Sequence, residues 1–170
     1  NDAIKATTVT IGDGTNTASL ALAASKAITG NVVINASGTL TLNNSSSVSG
    51  TINAASSGVG TLAIASSSSV VAAANIGGSS SSTALSSVTV GSSSTLNLAT
   101  NNVTLRATTV SLTGTLTAGS GVVTGTIQGS SDGAGTVNFN ASQTLAGNVG
   151  TSANSLSSIS RIALTSAEIG

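Results

Sequence analysis

The stretch Gly125–Ile159, GTIQGSSDGAGTVNFNASQTLAGNVGTSANSLSSI, repeats the earlier stretch Gly50–Val88, GTINAASSGVGTLAIASSSSVVAAANIGGSSSSTALSSV. Gly50-Thr51-Ile52 returns as Gly125-Thr126-Ile127, and Gly60-Thr61-Leu62 as Gly135-Thr136-Val137, both 75 positions later. Asn75-Ile76-Gly77 returns 73 positions later as Asn148-Val149-Gly150, and Leu85-Ser86-Ser87-Val88 returns 71 positions later as Leu156-Ser157-Ser158-Ile159. The offset shrinks only across the Ser-rich joints, while the apolar words survive. A long unit that tolerates deletions only between its apolar words is a repeat built from stacked short strands.

The words themselves alternate. Thr8-Val9-Thr10-Ile11 places Val9 and Ile11 on one side and the threonines on the other, which is the period of a half-buried strand. Ser19-Leu20-Ala21-Leu22, Gly38-Thr39-Leu40-Thr41-Leu42, Ser94-Thr95-Leu96-Asn97-Leu98 and Thr109-Val110-Ser111-Leu112 follow the same rule. Gly, Asn and Ser joints such as Asp13-Gly14 and Gly30-Asn31 separate them, because these residues turn the chain at little cost. No stretch carries a helix signature. Strands of four to six residues between such joints predict coils of roughly 20–25 residues.

The expected fold is all-β: a parallel β-solenoid, a right-handed β-helix, built from degenerate repeats of about 75 residues. It forms a single domain over residues 1–170, with units at roughly 1–82 and 83–154 and the start of a third at 155–170. The competing arrangement, a sandwich of antiparallel strands, requires hairpins in place of a coil ladder. Composition favours the solenoid. Phe139 is the one aromatic residue, so a broad core would lack the bulk to fill it, whereas a thin core needs only Val, Leu, Ile and Ala. The expected inward residues are Val9, Ile11, Leu20, Leu22, Leu40, Leu42, Leu62, Ile64, Val88, Val90, Leu96, Leu98, Val137 and Phe139.

The same composition excludes most chemistry. The chain has no Cys and no His, which removes thiol chemistry, nucleophilic triads and the usual zinc sites. Its acids are Asp2, Asp13, Asp132 and Glu168. Carbohydrate-cleaving solenoids need clustered carboxylates, and Asp13 and Asp132 each precede Gly as turn residues do. A calcium array would need Asp in every repeat. No catalytic, cofactor-binding or metal-ligating residue is therefore expected, no cofactor, and no enzymatic activity. Lys5, Lys26, Arg106 and Arg161 are scattered singly and read as exposed charges that blunt strand edges. With a formal net charge of zero, neither nucleic acid nor an anionic membrane is an expected partner. The apolar runs are too short for membrane insertion by this segment. NDAIKATT is not a signal peptide, so an export signal is expected outside these residues.

Thr8/Thr10, Thr39/Thr41 and Thr115/Thr117 have the form of the paired threonines on ice-binding solenoids. In the sequence these pairs do not recur once per coil, and the expectation is ordinary outward β-branched residues. Asn35-Ala36-Ser37, Asn44-Ser45-Ser46, Asn102-Val103-Thr104 and Asn140-Ala141-Ser142 fit the N-glycosylation pattern, as chance provides in so Ser- and Asn-rich a chain.

Gly133-Ala134-Gly135-Thr136-Val137-Asn138-Phe139, Gly147-Asn148-Val149-Gly150 and Asn154-Ser155-Leu156-Ser157-Ser158-Ile159 resemble the repeats of giant bacterial surface proteins. The family they look like is the passenger region of rickettsial-type outer-membrane autotransporter antigens and related β-strand-repeat adhesins. That resemblance implies an exported structure at the bacterial cell surface: a filament, surface layer or adhesin stalk. The alternative is a ligand-binding adhesin or an ice-binding β-solenoid module. A host or neighbouring cell surface is a further partner under either reading. Neither end carries an obvious capping element, so self-association end to end, or continuation of the same solenoid, is expected.

Overall fold

The computed structural model describes residues 3–161. It is all-β, with about seven turns of about 22 residues stacked as a solenoid. Sixteen strands follow one another: β1 Ala3–Ile11, β2 Ala18–Leu22, β3 Ala27–Ile34, β4 Gly38–Leu42, β5 Ser47–Val48, β6 Ile52–Ala54, β7 Val59–Ile64, β8 Ser69–Val71, β9 Leu85–Val90, β10 Thr95–Asn97, β11 Leu105–Leu112, β12 Thr115–Ala118, β13 Val123–Gly129, β14 Thr136–Phe139, β15 Leu145–Ala146 and β16 Ser158–Arg161. The strands pair in parallel, β1 with β3, β2 with β4 and so on along the stack, so no hairpin joins neighbours in sequence.

Each turn has three faces, and each face has a leading inward column, joined on the third face by a second one of Leu22, Leu42, Ile64, Val90 and Leu112. The first column is Ile4, Ile28 and Val48, then Val70, Leu96, Leu116, Val137 and Ile159. The second is Val9, Val32, Ile52, Ile76, Leu105, Val123 and Leu145. The third is Leu20, Leu40, Leu62, Val88, Val110, Ile127 and Val149. Every residue expected to face inward is buried or packs partly buried against this core, Val9, Leu20 and Phe139 being the partly buried ones. The repeating unit needs only one or two medium-sized apolar side chains per face, which explains why a chain nearly devoid of aromatics folds this way.

The corner from the third face to the first is built on serine. Ser25, Ser45, Ser67 and Ser93 all adopt φ between 55° and 61°. A left-handed residue other than Gly is strained unless a short polar side chain can hydrogen-bond locally. The serines that follow the last three, Ser46, Ser68 and Ser94, are buried and fully engaged. Ser46 Oγ donates to Asn43 O at 2.7 Å and Ser94 Oγ donates to Ala65 O at 2.6 Å, while Ser68 N donates to Ser94 Oγ at 3.2 Å. The Ser-rich joints are therefore a hydrogen-bonded internal stack rather than loose linkers.

A second kind of corner is bulged and needs glycine. In β3, Gly30 has φ +136°, and a Cβ there would sit 1.7 Å from Ala6 O of the coil before it. In β13, Gly125 has φ +118°, with its Cβ position 1.8 Å from Ala107 O. The two corners are alike, yet Gly30 joins the first face to the second and Gly125 joins the second to the third. The repeated words behave in the same way. Ile52 lies in the second column and Ile127 in the third, Leu62 in the third and Val137 in the first, Ile76 in the second and Val149 in the third. The later copy is thus turned by one face around the solenoid.

The change of phase falls between β5 and β8. These strands are edges of separate sheets. The first-face ladder is interrupted there, and Leu42, Val48, Ile52, Leu62, Val70 and Ile76 line a narrow apolar void at the break. The turn that follows carries the longest insertion, with a single 3-10 turn at Ser81–Thr83.

Candidate functional site

The strand registers align outward side chains into ranks. On the third face Ser19, Thr39, Thr61, Ser87, Thr109 and Thr126 are consecutive neighbours across six strands. Ala21, Thr41, Ala63, Thr89, Ser111 and Gln128 form the rank beside them. Coils lie ~4.8 Å apart, and alternate residues along a strand roughly 6.6 Å apart. The result is a rectangular field of hydroxyls and methyls with no charge in it. Hydroxyl pairs do not recur once per coil, as the sequence indicates, because Ala21, Ala63 and Gln128 interrupt the second rank. Single hydroxyls do recur along the first rank, with Ser in place of Thr at two positions and a spacing between turns that varies from 17 residues (Thr109 to Thr126) to 26 (Thr61 to Ser87).

The first face carries a shorter field. Ser69, Thr95, Thr115, Thr136 and Ser158 form one rank, with Val71, Asn97, Thr117, Asn138 and Ser160 beside them. Its polar side chains bond to one another along the axis: Thr136 Oγ1 and Ser158 Oγ are 3.0 Å apart, and Ser160 Oγ donates to the amide oxygen Oδ1 of Asn138.

The described acids hold turns. Asp13 Oδ1 accepts from Thr15 N at 2.9 Å and Asn16 N at 2.8 Å, and Oδ2 accepts from Asn16 Nδ2 at 2.8 Å. These donors, the Asn16 N–H foremost, lower the Asp13 pKa to about 2. Asp132 accepts from Ser155 Oγ one coil on, and that hydroxyl holds its carboxyl below the usual range. The two acids stand at different corners and five turns apart, roughly 24 Å along the axis, so they do not converge. Asp2 and Glu168 lie outside the described residues. Among the described residues no group of three His, Cys, Asp or Glu side chains is close enough to hold a metal ion.

Of the cations, Lys5 is exposed on β1 and Lys26 lies at a corner. Arg106 departs from the simple edge-blunting role: its Nη1 donates to Gly78 O at 3.1 Å and fastens the insertion loop. Arg161 reaches Ser142 Oγ at 3.5 Å across an open hollow of about 250 Å³ that Phe139, Gln143 and Leu145 also line. The glycosylation-type asparagines include Asn35, whose Nδ2 is engaged by Gly12 O at 2.6 Å.

Among the described residues no helix is long and apolar enough to cross a membrane. The chain is a β-solenoid repeat protein. Comparison with protein-family models, curated proteins and solved structures finds no match.

Proposed function

We propose that this chain is a structural segment of an extracellular bacterial surface assembly, a rod of stacked coils that extends by adding further coils. The observation that carries this reading is the stacking of about seven turns over one aliphatic core beneath a surface with almost no charge. Such a rod gains cohesion from backbone ladders and a thin aliphatic core, both of which lengthen without limit. The chain has no thiol or imidazole, and its described acids are engaged in turns. The resemblance of its words to autotransporter passengers supports a rod outside the cell. Immunogold labelling of intact source cells tests the proposal: label should decorate the surface and vanish after external protease treatment. Label confined to the cell interior overturns it.

The uncharged hydroxyl field from Ser19 to Thr126 favours a second reading, a module that binds an ordered surface such as ice. Thermal hysteresis and inhibition of ice recrystallisation by the purified chain decide it, and their absence at high protein concentration removes it.

A further inference from the structure

We infer that the partner for coil stacking is a second copy of this chain, seated head to tail and turned by one face, with β1 of one copy paired to β16 of the next. The inference rests on the stacking part of the proposed function and adds the partner, the register and the rotation.

The molecule already contains this joint once. β11, Leu105-Arg106-Ala107-Thr108-Thr109-Val110-Ser111-Leu112, lies on the coil made by Asn75-Ile76-Gly77 and β9. Ile76 pairs with Leu105, Leu85 with Ala107, Ser87 with Thr109 and Val88 with Val110. Arg106 N donates to Ile76 O at 2.9 Å.

Both sides of that joint recur at the two ends of the described chain. β1 reads Ile4-Lys5-Ala6-Thr7-Thr8-Val9-Thr10-Ile11, identical or chemically equivalent to β11 at each position. Both strands carry a bulge at the same place, after Lys5 and after Arg106. The receiving coil recurs as Asn148-Val149-Gly150 and Leu156-Ser157-Ser158-Ile159-Ser160. Its underside matches as well: Gly77 N donates to Ile52 O at 2.7 Å, and Gly150 N to Ile127 O at 2.7 Å.

The upper side differs in its occupancy. Gly77 and Gly150 share a left-handed φ of +76° and +77°. A Cβ on Gly77 would lie 1.9 Å from Arg106 O, whereas around Gly150 nothing among the described residues lies within 4 Å. The apolar residues tell the same story. Leu105 and Val88 are fully buried, while their counterparts Ile4 and Ile159 are 40% and 56% exposed. Placing β1 of a second copy as β11 lies puts Ile4 on Val149, Ala6 on Leu156, Thr8 on Ser158 and Val9 on Ile159. Val9 belongs to the second face and Ile159 to the first, so the copies are rotated by one face, the sum of two successive one-face steps of the kind seen between the repeats within the chain. A head-to-tail contact of this kind does not close and propagates as a filament. The correspondence departs at Arg161, which stands where Val90 does.

The chain has no Cys, so single-cysteine variants report the joint directly. Neighbouring outward residues on parallel strands are ~4.8 Å apart, within the Cα separation a disulfide spans. T8C and S158C proteins, mixed and mildly oxidised, should give the T8C–S158C heterodisulfide as the main covalent product. S158C mixed with A3C reports the unrotated register, Ile4 on Ile159, and should stay at background. A dominant A3C–S158C product overturns the rotation. Absence of both products, with the wild-type chain sedimenting as a monomer, overturns the joint. Neither result touches surface labelling of cells, which decides the rod reading separately. G150N guards against misfolding as an explanation. Asn accepts a left-handed φ, so the variant should keep its circular dichroism and melting while losing the T8C–S158C link. Retention of the link at the wild-type yield counts against the inference.

Discussion

Gly77 and Gly150 form a matched pair for measuring what close coil stacking costs. They occupy the same word, share a φ within one degree, and differ in what lies above them. Replacing either by Ala forces a β-carbon into the left-handed region, at about 1–2 kcal/mol. For Gly150 that is the whole cost in a single chain. For Gly77 the new methyl would overlap Arg106 O, so the coil carrying Arg106 must move away by more than an ångström. That movement breaks the bonds from Arg106 N to Ile76 O and from Ile76 N to Thr104 O, each 2.9 Å long. Leaving a buried backbone group without its partner costs about 1–3 kcal/mol. G77A should therefore lose about 3–8 kcal/mol and G150A about 1–2 kcal/mol. Urea denaturation followed by far-ultraviolet circular dichroism gives the totals. Amide exchange around each glycine separates local fraying from global loss. Equal losses for the two variants would refute the reasoning, because they would mean the approach of the next coil is not what demands glycine at this word.

Leu112→Ala removes a fully buried third-face side chain between Val90 and Gly129, and should cost about 2–5 kcal/mol in the same denaturation assay. The carboxyl of Asp13 has a depressed pKa, so the stability it lends its loop is fully present above the ordinary value of 3.8 and is lost as pH falls towards about 2. The Thr15 and Asn16 amide resonances should follow that acid titration and stay fixed at neutral pH. Thr61→Lys places a charge in the middle of the hydroxyl field without entering the core; melting should shift by less than about 0.5 kcal/mol equivalent, while any affinity for ice measured with the wild-type chain should fall sharply.

The coil was legible in the sequence because its two requirements are local. Alternation at Val9/Ile11 or Leu40/Leu42 marks inward positions, and the Gly, Asn and Ser words mark corners. The repeat was legible for the same reason. Its rotation was not: Gly50-Thr51-Ile52 and Gly125-Thr126-Ile127 are the same word, and only the partner strands reveal that Ile52 and Ile127 line different faces. The hydroxyl rank was hidden likewise. Ser19, Thr39, Thr61, Ser87, Thr109 and Thr126 are neighbours through register, which depends on every insertion in every corner between them. Joints that read as polar spacers contain buried, bonded serines such as Ser94, because hydrogen bonding across coils is not visible along the chain. In the sequence Arg106 has the look of an exposed edge charge for the same cause, since its partner, Gly78 O, lies in a loop 28 residues earlier.

Arg161 is the residue that sets how strongly two copies hold each other. In the internal joint Val90 faces the core opposite Leu112, and both are almost wholly buried. At the joint between copies Arg161 meets Ile11 instead. Covering a guanidinium without a charged partner is unfavourable, so the arginine must swing its head to solvent while its stem lies over apolar surface. An inward-pointing charge of this sort is a known way to blunt an open sheet edge. Arg161→Val restores the internal pattern, and burying that side chain is worth about 1.5–3 kcal/mol. The dissociation constant for end-to-end association should fall by roughly tenfold to a hundredfold, since each 1.4 kcal/mol is a factor of ten. Sedimentation equilibrium, or the lowest concentration at which filaments appear in negative stain, measures the change. If the variant associates no more tightly than wild type while the T8C–S158C link still forms, Arg161 lies outside the contact and the joint ends earlier in β16 than the internal copy indicates.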